Sequence, residues 1–302
     1  MQPNSEQTVE VVIIGGSYAG LSAALALGRA RRQVVVLDGG QPCNRQTPHS
    51  HNFLTQDGST PAALAATARA QVLAYPTVQL REELAVAATG EDGDFTVTTA
   101  SGGVLRARKL LFATGVRDSM PDLPGFAECW GISAIHCPYC HGYEYRDQPT
   151  GILANGDLAA EMGPLIRNWT DKLTIFTNGP ATLQPAQRER LATRGIALEE
   201  TPVQQLRHQA GQLTHLALAD GRALPLAALY ARLPFAQHCS LPQVLGCAHS
   251  EANYLTVDGF QKTSVAGIYA AGDATTPMRA VAAAVAAGML AGAMLNRELI
   301  FE

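Results

Sequence analysis

Val9-Glu10-Val11-Val12-Ile13-Ile14-Gly15-Gly16-Ser17-Tyr18-Ala19-Gly20 is the stretch that decides the fold. Its first half reads as a strand buried on both faces of a parallel sheet. Gly15 to Gly20 turns the chain, and Leu21, Ala24, Leu25 and Leu27 then recur at helical spacing. Arg29 to Arg32 place cations at the end of that helix, and Gln33 to Leu37 forms a second buried strand ending at Asp38. Strand, helix and strand together span the roughly 30 residues of a dinucleotide-binding βαβ unit. Gly15, Ser17 and Gly20 occupy the three small-residue positions of G-x-G-x-x-G. The first permits the tight turn, the second lets backbone approach a pyrophosphate, and the third packs helix on strand. Tyr18 and Ala19 open the helix, whose N-terminal N–H groups favour an anion. Asp38 stands where an acid binds ribose hydroxyls, which disfavours a 2′-phosphate and leaves FAD or NAD. An ordinary Gly-rich turn is the alternative, but the four features in register favour a nucleotide.

The whole chain agrees with a globular enzyme. It has 302 residues, 47% of them hydrophobic, a length that predicts two domains. Its net charge of −4 and its three lysines, Lys109, Lys172 and Lys262, argue against nucleic acid as a partner. The apolar run 280–295 falls short of the ~20 strongly apolar residues of a membrane span. The polar start from Met1 to Glu10 gives no export signal, so the expected location is cytoplasmic.

Downstream, Pro61 to Ala74 is a helix capped by Ser59-Thr60, and strands are expected at 86–100, 104–108 and 110–113. A second α/β pattern starts at Gly151, with a hairpin around Ala210-Gly211. A last strand at 268–271 leads to Gly272-Asp273, and an Ala-rich helix runs from about Pro277 to Leu295.

Six cysteines are present, and only Cys137-Pro138-Tyr139-Cys140 has a reactive spacing. In a reducing compartment such a pair serves redox chemistry or metal binding. A zinc site with Cys129, His136 and His141 lacks a second tight pair, and a glutaredoxin would carry the motif after its first strand. Redox use is favoured, with no metal.

These motifs resemble the low-molecular-weight thioredoxin reductase family of flavoproteins. The carrying residues are Gly15 to Gly20, Asn52 after the first loop, Ala113-Thr114-Gly115, Cys137 to Cys140, and Thr263 through Gly272-Asp273. The resemblance implies an α/β fold of two Rossmann-like dinucleotide-binding domains, the second inserted in the first. The FAD-binding domain would comprise 1–117 and 236–302, and the insert, 118–235, would carry the cysteine pair. It further implies a homodimer, Asp273 at the flavin ribityl chain, and Arg279-Ala280 at a helix start whose dipole stabilises reduced flavin. Cys140 would be the flavin-proximal sulfur and Cys137 the one that exchanges with substrate.

Three departures from the family pattern shape the functional expectation. His141 replaces the family's Asp as acid/base, and His141-Gly142-Tyr143-Glu144 resembles a branch containing fungal and bacterial small-molecule dithiol oxidases. In the insert, Ala154, Gly156 and Ala159 form a degraded nucleotide motif. Phe176-Thr177-Asn178-Gly179 then lacks the cations that would hold the 2′-phosphate of NADPH. Finally, His49 and His51 lie in a loop that in this fold passes the flavin, as bases or pocket lining. The sequence therefore points to a dithiol oxidase that does not use NADPH, acting on a small dithiol and passing electrons to oxygen or another acceptor. A reductase of thioredoxin-like proteins fed by NAD(P)H or ferredoxin, and a flavoprotein redox sensor, are the alternatives.

Overall fold

The structure, a computed structural model, describes residues 6–302. Met1 to Ser5, part of the stretch weighed for an export signal, lie outside the described residues. Two compact units divide the chain. One takes the chain through Arg45, Asn52–Arg117 and Phe235–Glu302, and the other takes Gln46–His51 and Asp118–Pro234.

The first unit begins with β1 (Gln7–Ile14), α1 (Tyr18–Arg29), β2 (Val34–Leu37), α2 (Pro61–Leu73) and β3 (Val78–Arg81). It continues with β4 (Ala85–Glu91), β5 (Asp94–Thr99), β6 (Val104–Phe112) and β7 (Val116–Asp118). The second unit contains α3 (Phe126–Cys129), β8 (Ala134–Ile135), α4 (Pro138–His141), β9 (Thr150–Leu153), α5 (Gly156–Ile166) and β10 (Leu173–Phe176). After them come α6 (Pro185–Ala192), β11 (Ala197–Glu199), β12 (Val203–Gln209), β13 (Gln212–Leu218), β14 (Ala223–Pro225) and β15 (Ala228–Ala231). The chain then returns to the first unit with β16 (Phe235–Gln237), α7 (Leu241–Val244), β17 (Ile268–Ala270) and α8 (Val281–Phe301).

In the first unit β3, β2, β1 and β6 lie side by side and parallel, as the buried runs of the sequence require. The far edge of β6 is shared. Its first half pairs antiparallel with β5, and its last three residues pair parallel with β17. The last strand of the chain thus joins the sheet founded by the first. Apolar clusters fill both faces, one under α1 and α8 and the other toward Leu241 and Leu255. The second unit has a five-stranded parallel sheet in the order β11-β10-β9-β15-β8, with a separate meander of β12, β13 and β14. Both units therefore have the α/β build expected of dinucleotide-binding domains.

Two sequence readings are corrected. The strands expected at 104–108 and 110–113 are one strand, because Lys109 is fully buried and paired rather than a break. The last helix starts at Val281 and runs to Phe301. At 21 residues it is long and apolar enough, by length and composition, to cross a membrane, which the shorter run 280–295 did not suggest. Its small residues instead face α1: a Cβ on Gly288 would overlap the Ala19 carbonyl oxygen. Gly292 also lies against the Ala23 backbone, less tightly, so the two helices meet backbone to backbone.

Candidate active site

In the first unit the glycine turn is built by close approach. Gly15 has φ +110°, open only to glycine, and its N–H donates to the Leu37 carbonyl at 2.8 Å. A Cβ there would overlap the Ala113 carbonyl, and one on Gly20 would overlap the carbonyl of Gly15. The turn therefore presses on Ala113-Thr114-Gly115 at the end of β6. Ser17 is the N-cap of α1 and makes no side-chain cap bond, while Asn44 donates to the Tyr18 hydroxyl at 3.2 Å. Ala19 packs below Gly272, which has φ +80°. At the end of β2, Asp38 accepts from the Gly40 N–H at 3.1 Å and is paired with Arg69.

Asp273 follows β17, with Arg279 Nε 3.6 Å from its carboxylate and Ala280 as the N-cap of α8. Cys43, read from sequence as a bystander, donates to Asp273 at 3.6 Å. Protein around its inner side, then the Asp273 carboxylate, push this thiol up to about 11, so it stays protonated. No spacing in the sequence could reveal that contact. Asn52 occupies a left-handed turn (φ 60°) and its N–H goes to Asp57 at 2.7 Å.

The strands that end here are parallel, so Gly15, Asp38, Thr114 and Asp273 share the carboxyl edge of the sheet, where open α/β sheets bind ligands. Thr114 Oγ1 is buried there with no hydrogen-bond partner. Such an orphan is costly unless a ligand answers it. The cradle fits an FAD, whose pyrophosphate would meet Gly15 to Gly20 and the start of α1. Asp38 would take the ribose and Asp273 the ribityl chain. When bound, the flavin supplies two-electron redox chemistry.

The cysteine pair belongs to the second unit. Strand β8 ends two residues before Cys137, which is the N-cap of the one-turn helix α4, with Pro138 pre-set for its first position. Cys140 and His141 both donate their N–H groups to the Cys137 carbonyl at 3.3 Å. This turn brings Cys140 Sγ to 2.8 Å from Cys137 Sγ, a short approach from the ~2.05 Å of a disulfide. The Cys140 thiol donates to Cys137 and, against burial, lowers it to about 7, helped by the N–H groups of Cys140 and Tyr139. Cys137 is thus the thiolate of the pair near neutral pH.

Burial lowers the pKa of His141 below its ordinary value, Glu144 opposes that shift and His51 adds to it. His141 is therefore a neutral base at pH 7. Tyr139 meets the Trp169 ring edge-on at 5.6 Å, walling one side of the turn. The loop histidines arrive with the strap Gln46–His51, which belongs to this unit: Gln46 donates to the Ala127 carbonyl at 3.4 Å. His51 Nε2 lies 3.5 Å from Glu144 Oε1, and the His49 ring is 6.4 Å from that of His51. Glu144 received no role from the sequence, because its partner is remote along the chain.

A nucleotide-type sheet with an orphaned polar edge and a Cys-x-x-Cys turn define a disulfide oxidoreductase with two dinucleotide-type domains. The comparisons agree. The family model for pyridine nucleotide-disulphide oxidoreductases matches residues 9–288. The chain is 33% identical to a protein of Claviceps purpurea named thioredoxin reductase tcpT, over 99% of this chain and 97% of that one. Among solved structures it is similar to an oxidoreductase from Agrobacterium tumefaciens, with TM-score 0.92 and 38% identity over 98% and 99% of the two chains. It is also similar to HlmI, with TM-score 0.92 and 34% identity over 97% and 93%. The chain belongs to the pyridine nucleotide-disulphide oxidoreductase family. Within it, the protein is a thioredoxin reductase-like oxidoreductase acting on sulfur groups, and membership implies a bound flavin.

Proposed function

We propose that the protein is an FAD-dependent dithiol oxidase that does not draw electrons from NADPH. The observation that carries this reading is the closure of the nucleotide edge in the second unit. There, Asn155 caps α5 and its Oδ1 accepts from Gly156 N–H at 2.8 Å, Thr182 N–H at 2.8 Å and the Thr182 hydroxyl at 3.2 Å. Its Nδ2 donates to the carbonyls of Thr177 at 3.3 Å and Pro180 at 3.0 Å. One side chain thus fastens the loop after β10 over the start of α5. The first N–H of α5, that of Gly156, which would otherwise face a pyrophosphate, is engaged internally.

The cations near this loop are also taken. Glu199 and Glu200 border this loop, and Arg222 and Arg188 are paired with them at 2.8 Å and 3.0 Å. Hydrogen bonds from Arg222 and Thr201 hold Glu199 down to about 2, so it is ionised at any physiological pH. Electrons then enter from substrate sulfur. A substrate thiolate attacks Cys137 Sγ, the Cys137–Cys140 bond breaks, and Cys140 leaves as thiolate. A second substrate thiol closes the substrate disulfide and releases Cys137. The Cys137–Cys140 disulfide then re-forms. The electron pair it gives up would be taken by an FAD held at Gly15 to Gly20, Asp38 and Asp273, with oxygen as the final oxidant, which takes two protons to become peroxide. A cytoplasmic homodimer with FAD in each chain is part of this proposal.

An anaerobic titration at the flavin absorbance band tests it. Dithiothreitol is expected to bleach the flavin stoichiometrically, and NADPH in the same excess to leave it oxidised for minutes. Rapid bleaching by NADPH would overturn the proposal in favour of a reductase.

A further inference from the structure

The redox turn carries a carboxylate that the exchange chemistry above does not use. Glu144 lies three residues after His141, its Oε1 is 3.5 Å from His51 Nε2, and its charge acts on the His141 imidazole as well, so it couples to one imidazole of the turn and one of the strap. Its side chain is 37% exposed and that of His51 22%, so the contact is a geometric link rather than a strong ion pair. We propose that Glu144 is the positioning residue of a proton relay, holding one proton in balance between His141 and His51 so that the turn exchanges protons with substrate thiols internally. This rests on the redox role of Cys137 and Cys140.

The relay closes the proton account of the thiol steps. His141 takes the proton of the first substrate thiol as that sulfur bonds to Cys137 and the Cys137–Cys140 bond breaks. When the second substrate sulfur attacks the mixed disulfide, His141 returns its proton to the departing Cys137 sulfur. The second substrate proton goes to His51, whose charge Glu144 balances. The substrate loses two protons and two electrons. The proton on Cys137 then passes to Cys140, leaving the Cys137 thiolate of the reduced pair and a charged His51.

The other ionisable groups around the relay do not replace Glu144. His49 flanks His51, and Tyr145 donates to the Ile132 carbonyl at 2.8 Å. Tyr230, from β15, is raised by burial and by the nearby cysteines, Tyr145 and Glu144, so it stays a neutral phenol. Arg146 stacks over the Tyr143 ring at 4.0 Å. Glu144 also opposes the fall of the His141 pKa, so its loss lowers that pKa further.

The test compares wild type, Glu144→Gln, Glu144→Asp and His51→Gln, with FAD bound, by rapid mixing across pH 5 to 9. In one arm dithiothreitol reduces the flavin anaerobically; in the other, dithionite-reduced enzyme reduces an aromatic disulfide. Thiol protons move through the same groups in both directions, so the second arm reads the relay even where the first shows no dithiol oxidation. The expected result for Glu144→Gln is a limiting rate down about 10–100-fold with KM little changed. Its acid limb should shift to lower pH, Glu144→Asp should recover much of the rate, and His51→Gln should flatten the same limb. A pH profile for Glu144→Gln that superimposes on wild type in both arms overturns the relay. Failure of only the first arm, in wild type itself, counts against dithiol oxidation instead.

Discussion

Cys140→Ser is expected to retain FAD and to lose dithiol-driven flavin reduction by a factor on the order of 10⁴, the scale on which removing a covalent participant acts. A serine cannot form the Cys137 disulfide or leave with the electron pair. It also withdraws the thiol that donates to Cys137 at 2.8 Å, the largest cause of the low Cys137 pKa. Iodoacetamide labelling should therefore show Cys137 less reactive at pH 7 in this variant than in the reduced wild type. Stopped-flow absorbance measures the rate. A Cys140→Ser enzyme that still bleaches its flavin with dithiothreitol at the wild-type rate would remove Cys140 from the electron path.

The second large effect concerns stability. Lys109 is fully buried in β6, and its ammonium meets Asp92 at 2.5 Å, Glu298 at 2.8 Å and Glu302. Lys262, 3.0 Å from Glu298, and the Tyr269 hydroxyl at 2.6 Å complete the cluster that ties the end of α8 to the sheet. Lys109→Met is expected to cost about 3–5 kcal/mol, because it leaves partly buried carboxylates uncompensated.

The pH dependence has a definite sign. Burial opposes the charge on Lys109, yet its hydrogen bonds to the three carboxylates raise it to about 12. Its contribution is therefore complete below the ordinary lysine value of ~10.4 and lost as pH rises toward 12. Burial raises Glu298, but Lys109, Tyr269 and Lys262 hold it down to about 2. That contribution is present above ~4.3 and lost as pH falls toward 2. Urea denaturation should show a constant deficit for Lys109→Met across neutral pH that narrows at both ends. A deficit below about 1 kcal/mol at pH 7, the worth of an exposed pair, would show that the cluster bears no such weight.

Lys109 also marks where the sequence misleads. A single lysine in an apolar run looks like a break, since its carboxylate partners come from a distant turn and from the last helix. The glycine turn was legible because its requirements are local: a tight bend, a close approach and an acid at the next strand end. The Cys137–Cys140 pair was legible for the same reason, as one turn of chain sets its geometry. Asn155 was not. An Asn before a helix reads as an ordinary cap, and only the fold brings Thr182 and the carbonyls of Thr177 and Pro180 onto its amide. The missing cations at Thr177 to Gly179 were visible, but the lock over α5 was not. Glu144 and Cys43 share that lesson, for each meets its partner across a long span of chain.

The central claim is that substrate sulfur, through Cys137 and Cys140, supplies the electrons that pyridine nucleotide supplies elsewhere in the family. Its most direct measurement is turnover in air with dithiothreitol as the only reductant, following disulfide and peroxide together. The account predicts steady turnover without NADPH, with equal amounts of disulfide and peroxide formed. No turnover until NADPH is added, with disulfide then consumed rather than produced, would contradict it.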